Sequence, residues 1–206
     1  MSIKRNPFKT VIVTGVPGVG KTTVLKEFEK KAVEKNIKLL IVNFGDYMLK
    51  AARSEGLAEN RDQIRHLPQR AQLRLQGLAA REIVKDALKM LGEEDLLIVD
   101  THSIVKTSSG YWPGLPEHVV RELNPDSIVL IETRAEEVLA RQAKDKGRYR
   151  QDVGGSVEVI KELMLMARAA AVSSATLTAS SVFIVENPPG SPESAAEELL
   201  RLVERL

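Results

Sequence analysis

Residues 15–22 read Gly15-Val16-Pro17-Gly18-Val19-Gly20-Lys21-Thr22. This is a full match to G-x-x-x-x-G-K-[ST], the pattern of a phosphate-binding loop. The residues on either side suit it. Thr10-Val11-Ile12-Val13-Thr14 is a β-branched run that reads as a buried strand, and Thr22 to Lys35 is amphipathic and reads as a helix. A strand, a glycine-rich turn and a helix N-terminus form an anion cradle, because glycines let backbone N–H groups turn inward and the helix dipole adds positive potential. The cofactor-binding candidates are therefore Gly15, Val16, Pro17, Gly18, Val19, Gly20, Lys21, Thr22 and Thr23. Lys21 reaches the β- and γ-phosphates of a nucleoside triphosphate such as ATP, and the Thr22 hydroxyl holds Mg²⁺.

Further apolar runs of strand length follow at Leu39–Asn43, Leu96–Asp100, Ser127–Ile131 and Ser181–Val185. Runs apolar on both faces fit a parallel sheet covered on each side. Helical patterns fill the gaps, at about 21–35, 45–56, 68–91, 116–123, 134–143, 156–178 and 192–205. The alternation predicts a doubly wound α/β fold: a five-stranded parallel sheet in a three-layer sandwich of the P-loop NTPase kind. Ligands in such sheets sit at the C-terminal ends of the strands, here Gly15, Asn43 and Asp100.

The 206 residues are expected to form a single domain over 1–206. Without cysteine there is no disulfide framework, thiolate zinc site or cysteine nucleophile, which suits a cytoplasmic protein. A net charge of +2 argues against a bulk nucleic-acid binder, so no nucleic-acid partner is expected. No run is long enough to span a membrane, and Met1 to Lys9 lacks the apolar core of a signal peptide.

Asp100 ends Leu-Leu-Ile-Val-Asp, the pattern of an acid that holds Mg²⁺ directly or through water; the alternative is a loop or N-cap aspartate. His102, two residues on, faces the phosphates or a substrate, or else plays a structural role. Arg61 and Arg65 stand at i,i+4 spacing and offer a fork for a phosphate dianion. Gln69, Gln72 and Gln76 line one helix, and their amides suit a base edge; the alternative is a solvated face. Thr101 to Pro116 and Asp145 to Gly155 read as long loops. The second, with Arg141, Lys144, Lys146, Arg148 and Arg150 around it, reads as a short lid over about 141–155. Its arginines would neutralise a transferring phosphoryl group, with Gly147 and the Gly154-Gly155 pair as hinges. The Met164–Met166 region is either core or an inter-subunit helix. Asn187-Pro188-Pro189-Gly190-Ser191-Pro192 reads as a plain turn.

The chain resembles the archaeal adenylate kinases. The carriers are residues 13–23, Val-Asn-Phe-Gly-Asp (42–46), Asn-Arg-Asp-Gln-Ile-Arg (60–65), Val-Asp-Thr-His-Ser (99–103), Gly-Tyr-Trp-Pro-Gly-Leu-Pro (110–116) and Glu-Leu-Asn-Pro-Asp (122–126). The resemblance implies phosphoryl transfer from MgATP to AMP giving two ADP, and a homo-oligomer, commonly a trimer. It implies donor phosphates on residues 15–23, AMP on Arg61 and Arg65 within a helical segment of about 45–91, and catalytic roles for Lys21, Arg141, Arg148 and Arg150. Gln72, Gln76 and His102 complete the substrate-binding candidates. Bacterial and eukaryotic adenylate kinases carry Asp-Gly-Phe-Pro-Arg after the third strand, where this chain reads Asp-Thr-His-Ser, and Lys50 stands where they have an AMP-site arginine. The rivals are another nucleoside monophosphate kinase of this fold, or a slow ATPase that acts as an RNA- or ribosome-associated factor.

Overall fold

A computed structural model describes residues 5–107, 110–144 and 156–206. In chain order the elements are β1 (Lys9–Thr14), α1 (Lys21–Glu34), β2 (Leu39–Asn43), α2 (Phe44–Ser54), α3 (Arg61–Arg65), α4 (Gln69–Met90), β3 (Leu96–Asp100) and β4 (Ile104–Thr107). They continue with β5 (Gly110–Pro113), α5 (Glu117–Leu123), β6 (Ser127–Glu132), α6 (Ala135–Lys144), α7 (Val157–Thr176), β7 (Ser181–Glu186) and α8 (Pro192–Val203).

The main sheet has five parallel strands in the order β2-β3-β1-β6-β7. The predicted strands are all present, within a residue at each end. β1, β3 and β6 are almost wholly buried, as strands covered on both faces must be, and this explains their unbroken apolar runs. β2 and β7 form the edges and are more open. The chain leaves β1 toward β2 and β3 on one side and toward β6 and β7 on the other. The crevice for a ligand therefore opens at the C-terminal end of β1.

Two local expectations need correction, and the helical spacing of Arg61 and Arg65 is met by a helix of their own. The stretch Thr101 to Pro116 is not a plain loop: β4 and β5 pair antiparallel, with Val105 opposite Trp112 and Lys106 opposite Tyr111. Four-residue strands are too short to show a clear period. The hairpin is held in place by Tyr111, whose hydroxyl donates to Glu162 on α7 at 2.8 Å. The polar run at 60–65 is a separate helix, α3, closed by a capping box between Asn60 and Gln63. The turn after β7 is part of the site, as described below.

The core is one large cluster spanning the sheet and its covering helices. A second, small cluster of Ala52, Ala58, Ile64 and Leu75 lies among α2, α3 and α4. On α7, Leu163, Ala167 and Ala171 face the core while Leu165 stands exposed, so the helix that carries Met164 and Met166 is core along one stripe.

Two glycines are required by close approach. A Cβ on Gly15, whose φ is +151°, would lie 2.4 Å from the Ile131 carbonyl oxygen on β6. A Cβ on Gly114 would lie 1.8 Å from the His102 carbonyl oxygen, and the Gly114 amide donates to Ser103 O at 3.0 Å. Only glycine lets the chain after the hairpin pass this close to the end of β3.

Candidate active site

The phosphate loop runs from Gly15 to Gly20 between β1 and α1. α1 begins on Gly20 in the left-handed region, with no side chain capping it and no acid in its first turn. The N–H groups of a first helical turn have no intrahelical acceptors. An anion is therefore the natural cap, in both hydrogen bonding and charge.

The loop's carbonyls point the other way and are met by side chains from three regions of the fold. His102 Nδ1 donates to Gly15 O at 2.8 Å and Lys21 Nζ reaches the same oxygen at 3.4 Å. Gln142 Nε2 donates to Pro17 O at 2.6 Å. Arg141 Nη1 donates to Val19 O at 2.9 Å and to Gly18 O at 3.4 Å, and Asn187 Nδ2 donates to Val19 O at 2.7 Å.

Lys21 is nearly buried, with Nζ 3.8 Å from Asp100 Oδ1. Asp100 Oδ2 accepts from Asn43 Nδ2 at 2.9 Å, while Oδ1 is buried with no hydrogen-bond partner among the described residues. Burial pushes the Asp100 carboxyl above the usual carboxylate range, against the pull of Lys21, Asn43 and Arg61. A buried, under-satisfied carboxylate fits a divalent cation that also draws on phosphate oxygens, and the exposed Thr22 in the first turn of α1 leaves a hydroxyl open to the same ion. No group of three or more His, Asp or Glu residues suited to a metal occurs among the described residues. Mg²⁺, which commonly binds one or two carboxylates plus substrate phosphates, needs no such group.

On the other bank of the cleft, Arg61 Nη2 donates to Asn43 Oδ1 at 2.8 Å and to Asp46 Oδ1 at 2.5 Å. Arg65 lies 3.6 Å from Asp62. The two arginines thus engage separate carboxylates and do not form a preassembled fork. Gln72 Nε2 donates to the Leu67 and Arg65 carbonyls, closing the turn between α3 and α4. Gln76 is buried and donates to Pro113 O at 3.2 Å, which ties α4 to the hairpin. Lys50 lies 3.8 Å from Asp86 and stacks over the Tyr47 ring. Arg148 and Arg150, with most of the expected lid, lie outside the described residues.

A family profile described as AAA domain matches residues 14–161. The chain is 47% identical over 192 residues to an adenylate kinase of Saccharolobus solfataricus, covering 93% of this chain and 97% of the relative. It is 43% identical over 195 residues to an adenylate kinase of Methanocaldococcus jannaschii, covering 95% and 98%. The chain belongs to the adenylate kinase family. Its fold also matches a shikimate kinase from Bacteroides thetaiotaomicron, with a TM-score of 0.58 at 14% identity, covering 95% of this chain and 98% of that one. That likeness speaks to the fold alone.

For an adenylate kinase family member, three residues without a local sequence signal stand in the geometry, Asp46, Gln142 and Asn187, together with Asn43, which the strand-end pattern marks. Asn43 was the accessible one. It ends β2 in register with Asp100 at the end of β3. The contacts of Gln142 and Asn187 span more than a hundred residues of sequence and leave no local signal.

Proposed function

We propose that this chain transfers a phosphoryl group reversibly from MgATP to AMP, giving two ADP. The observation that carries the reading is the poise of Lys21 between Gly15 O and Asp100, beneath the uncapped N-terminus of α1. The family assignment supports it.

In this reading residues 15–23 hold the ATP phosphates on backbone amides, and Lys21 moves from Gly15 O to the β- and γ-phosphates. Thr22 and Asp100 would hold Mg²⁺, which when bound would neutralise charge on the donor phosphates. An α-phosphate oxygen of AMP attacks the γ-phosphorus in line. The new O–P bond forms as the bond to the β,γ-bridging oxygen breaks, and that oxygen keeps the electron pair on the departing ADP. Catalysis is positioning and charge neutralisation. Arg141, which holds the Gly18 and Val19 carbonyls in the absence of nucleotide, is assigned to leave them and neutralise charge on the donor phosphates. Arg148 and Arg150 are assigned the same task from the lid.

AMP is assigned to the α2–α4 segment, with Arg61 and Arg65 exchanging Asp46 and Asp62 for the acceptor phosphate, and with Gln72, Gln76 and His102 near the acceptor. We assign the protein to the cytoplasm as a homo-oligomer, a trimer on the strength of the family resemblance. No helix among the described residues is long and apolar enough to cross a membrane. Exposed Phe183 and Ile184 on the edge strand β7 support self-association.

A coupled assay over AMP, CMP, UMP and GMP with MgATP tests the reading. AMP is expected to be the best acceptor, with ADP formed in twofold ratio to AMP consumed. ADP release without AMP consumption would overturn it.

A further inference from the structure

A phosphate loop functions only if its amides converge on the anion. In a trans peptide the C=O and the following N–H are fixed in one plane and point in opposite directions. Whatever holds the carbonyl of one residue therefore aims the amide of the next. The carbonyls of Gly15, Pro17 and Val19 are each engaged by a side-chain donor, which turns the amides of Val16, Gly18 and Gly20 to the opposite side of their peptide planes.

Two of these peptide units precede glycines at φ +99° (Gly18) and +95° (Gly20). Glycine passes between positive and negative φ with little steric cost. Such units are the easiest to flip, and a flip would turn a carbonyl oxygen toward the phosphates. Each of the three carbonyls is met by a neutral side-chain donor from a different part of the chain. These are His102 after β3 at 2.8 Å, Gln142 on α6 at 2.6 Å and Asn187 after β7 at 2.7 Å. Val19 O accepts from Arg141 at 2.9 Å as well. A carbonyl is only an acceptor, so the ring or amide nitrogen facing it carries a hydrogen.

We propose that His102, Gln142 and Asn187 are positioning residues that lock three peptide planes of the phosphate loop with their amides inward. The proposal deepens the reading of this loop as the ATP site and rests on it. His102 has a second part in it. Gly15 O accepts from both His102 and Lys21. When Lys21 leaves for the donor phosphates, His102 keeps that carbonyl satisfied, which lowers the barrier to the transfer of the lysine. Asn187 is buried, with its amide N–H on Glu132 O, so its side chain is held from behind by the strand ladder.

The test is calorimetric titration with sodium tripolyphosphate, alongside steady-state kinetics with ATP and AMP and a thermal melt. Asn187→Asp, Gln142→Met and His102→Gln each remove a donor from its place. Each is expected to weaken tripolyphosphate binding about tenfold and to raise KM for ATP more than it lowers kcat, with the melt unshifted in the part-exposed Gln142→Met and His102→Gln. His102→Asn returns a nitrogen to the Nδ1 position, and should bind tripolyphosphate more tightly than His102→Gln. Wild-type affinity in Asn187→Asp, Gln142→Met and His102→Gln would overturn the proposal, as would equal affinities for His102→Asn and His102→Gln. If Asn187→Asp fails to fold, the partly exposed Gln142→Met decides. Tripolyphosphate binding does not involve AMP. A wild-type protein that binds it yet never phosphorylates AMP sinks the kinase reading alone, whereas an active kinase with unaffected variants sinks the brace alone.

Discussion

Asn43 joins the two banks of the cleft through Asp100. Its Nδ2 donates to Asp100 Oδ2 at 2.9 Å, while its Oδ1 accepts from Arg61 at 2.8 Å and from the Gly45 amide at 3.0 Å. One amide thus connects the acceptor-side arginine to the carboxylate beside Lys21. The link exists because β2 and β3 end in register, with Asn43 opposite Asp100.

Arg61 is the exposed end of this chain of contacts, and its removal should be felt on the acceptor side. Arg61→Ala is expected to raise KM for AMP about tenfold, the worth of one charge-assisted phosphate contact, with KM for ATP nearly unchanged. Steady-state kinetics with each nucleotide varied in turn checks this. Equal shifts in both KM values would remove Arg61 from the AMP site.

Asp100 makes a prediction about pH. Its folded-state value is raised, chiefly by burial. Between the unfolded value and the raised one, the native state holds a proton that the unfolded state has released. Stability therefore falls as pH rises through that window. Chemical denaturation of nucleotide-free protein from about pH 4 to pH 7, wild type against Asp100→Asn, should show this descending component in the wild type and not in the variant. Parallel curves would show that Asp100 titrates alike in both states.

Gly114→Ala places a methyl 1.8 Å from the His102 carbonyl oxygen, a backbone atom that cannot swing aside. Overpacking of this kind costs roughly 1–3 kcal/mol, a fall in Tm of about 2–4 °C for each kcal/mol in a chain of this size. Because the displaced segment carries His102 toward the phosphate loop, ATP affinity should fall with it. A melt unchanged from wild type would show that the hairpin relaxes freely.

Arg168 on α7 holds Glu132 at the end of β6, with Nε on Oε1 at 2.8 Å and Nη2 on Oε2, and Glu132 is buried. Arg168→Ala leaves the buried Glu132 carboxylate without its half-exposed cation; water reaches the vacated side, so the cost is about 1–3 kcal/mol. Denaturant titration should show the loss, partly recovered in the double variant with Glu132→Gln. No recovery would mean that the arginine acts through packing alone.

What was legible in the sequence was local. The strands were readable because β1, β3 and β6 are covered on both faces, so burial writes itself as continuous apolar runs. The phosphate loop was readable because its chemistry needs glycines, a lysine and a hydroxyl at fixed offsets. The β4–β5 hairpin escaped because each strand is only four residues long. Asn187 looked like part of a proline-rich turn, since its partner Val19 O is 168 positions away. Arg61 and Arg65 share a helix, yet the carboxylates that hold them, Asp46 and Asp62, belong to different elements. A spacing rule sees the shared helix and not the partners.

The small apolar nucleus of Ala52, Ala58, Ile64 and Leu75 has a mechanical consequence. Met48 packs against both it and the main core, and α4 also sends Ala79, Ala80, Ile83 and Ala87 into the main core, so only the outer part of the α2–α4 region, around α3, rests on a nucleus of its own. That outer part can shift toward an arriving nucleotide with its own interior intact, while β3, which ends in Asp100, and α1, which begins at Lys21, keep their places.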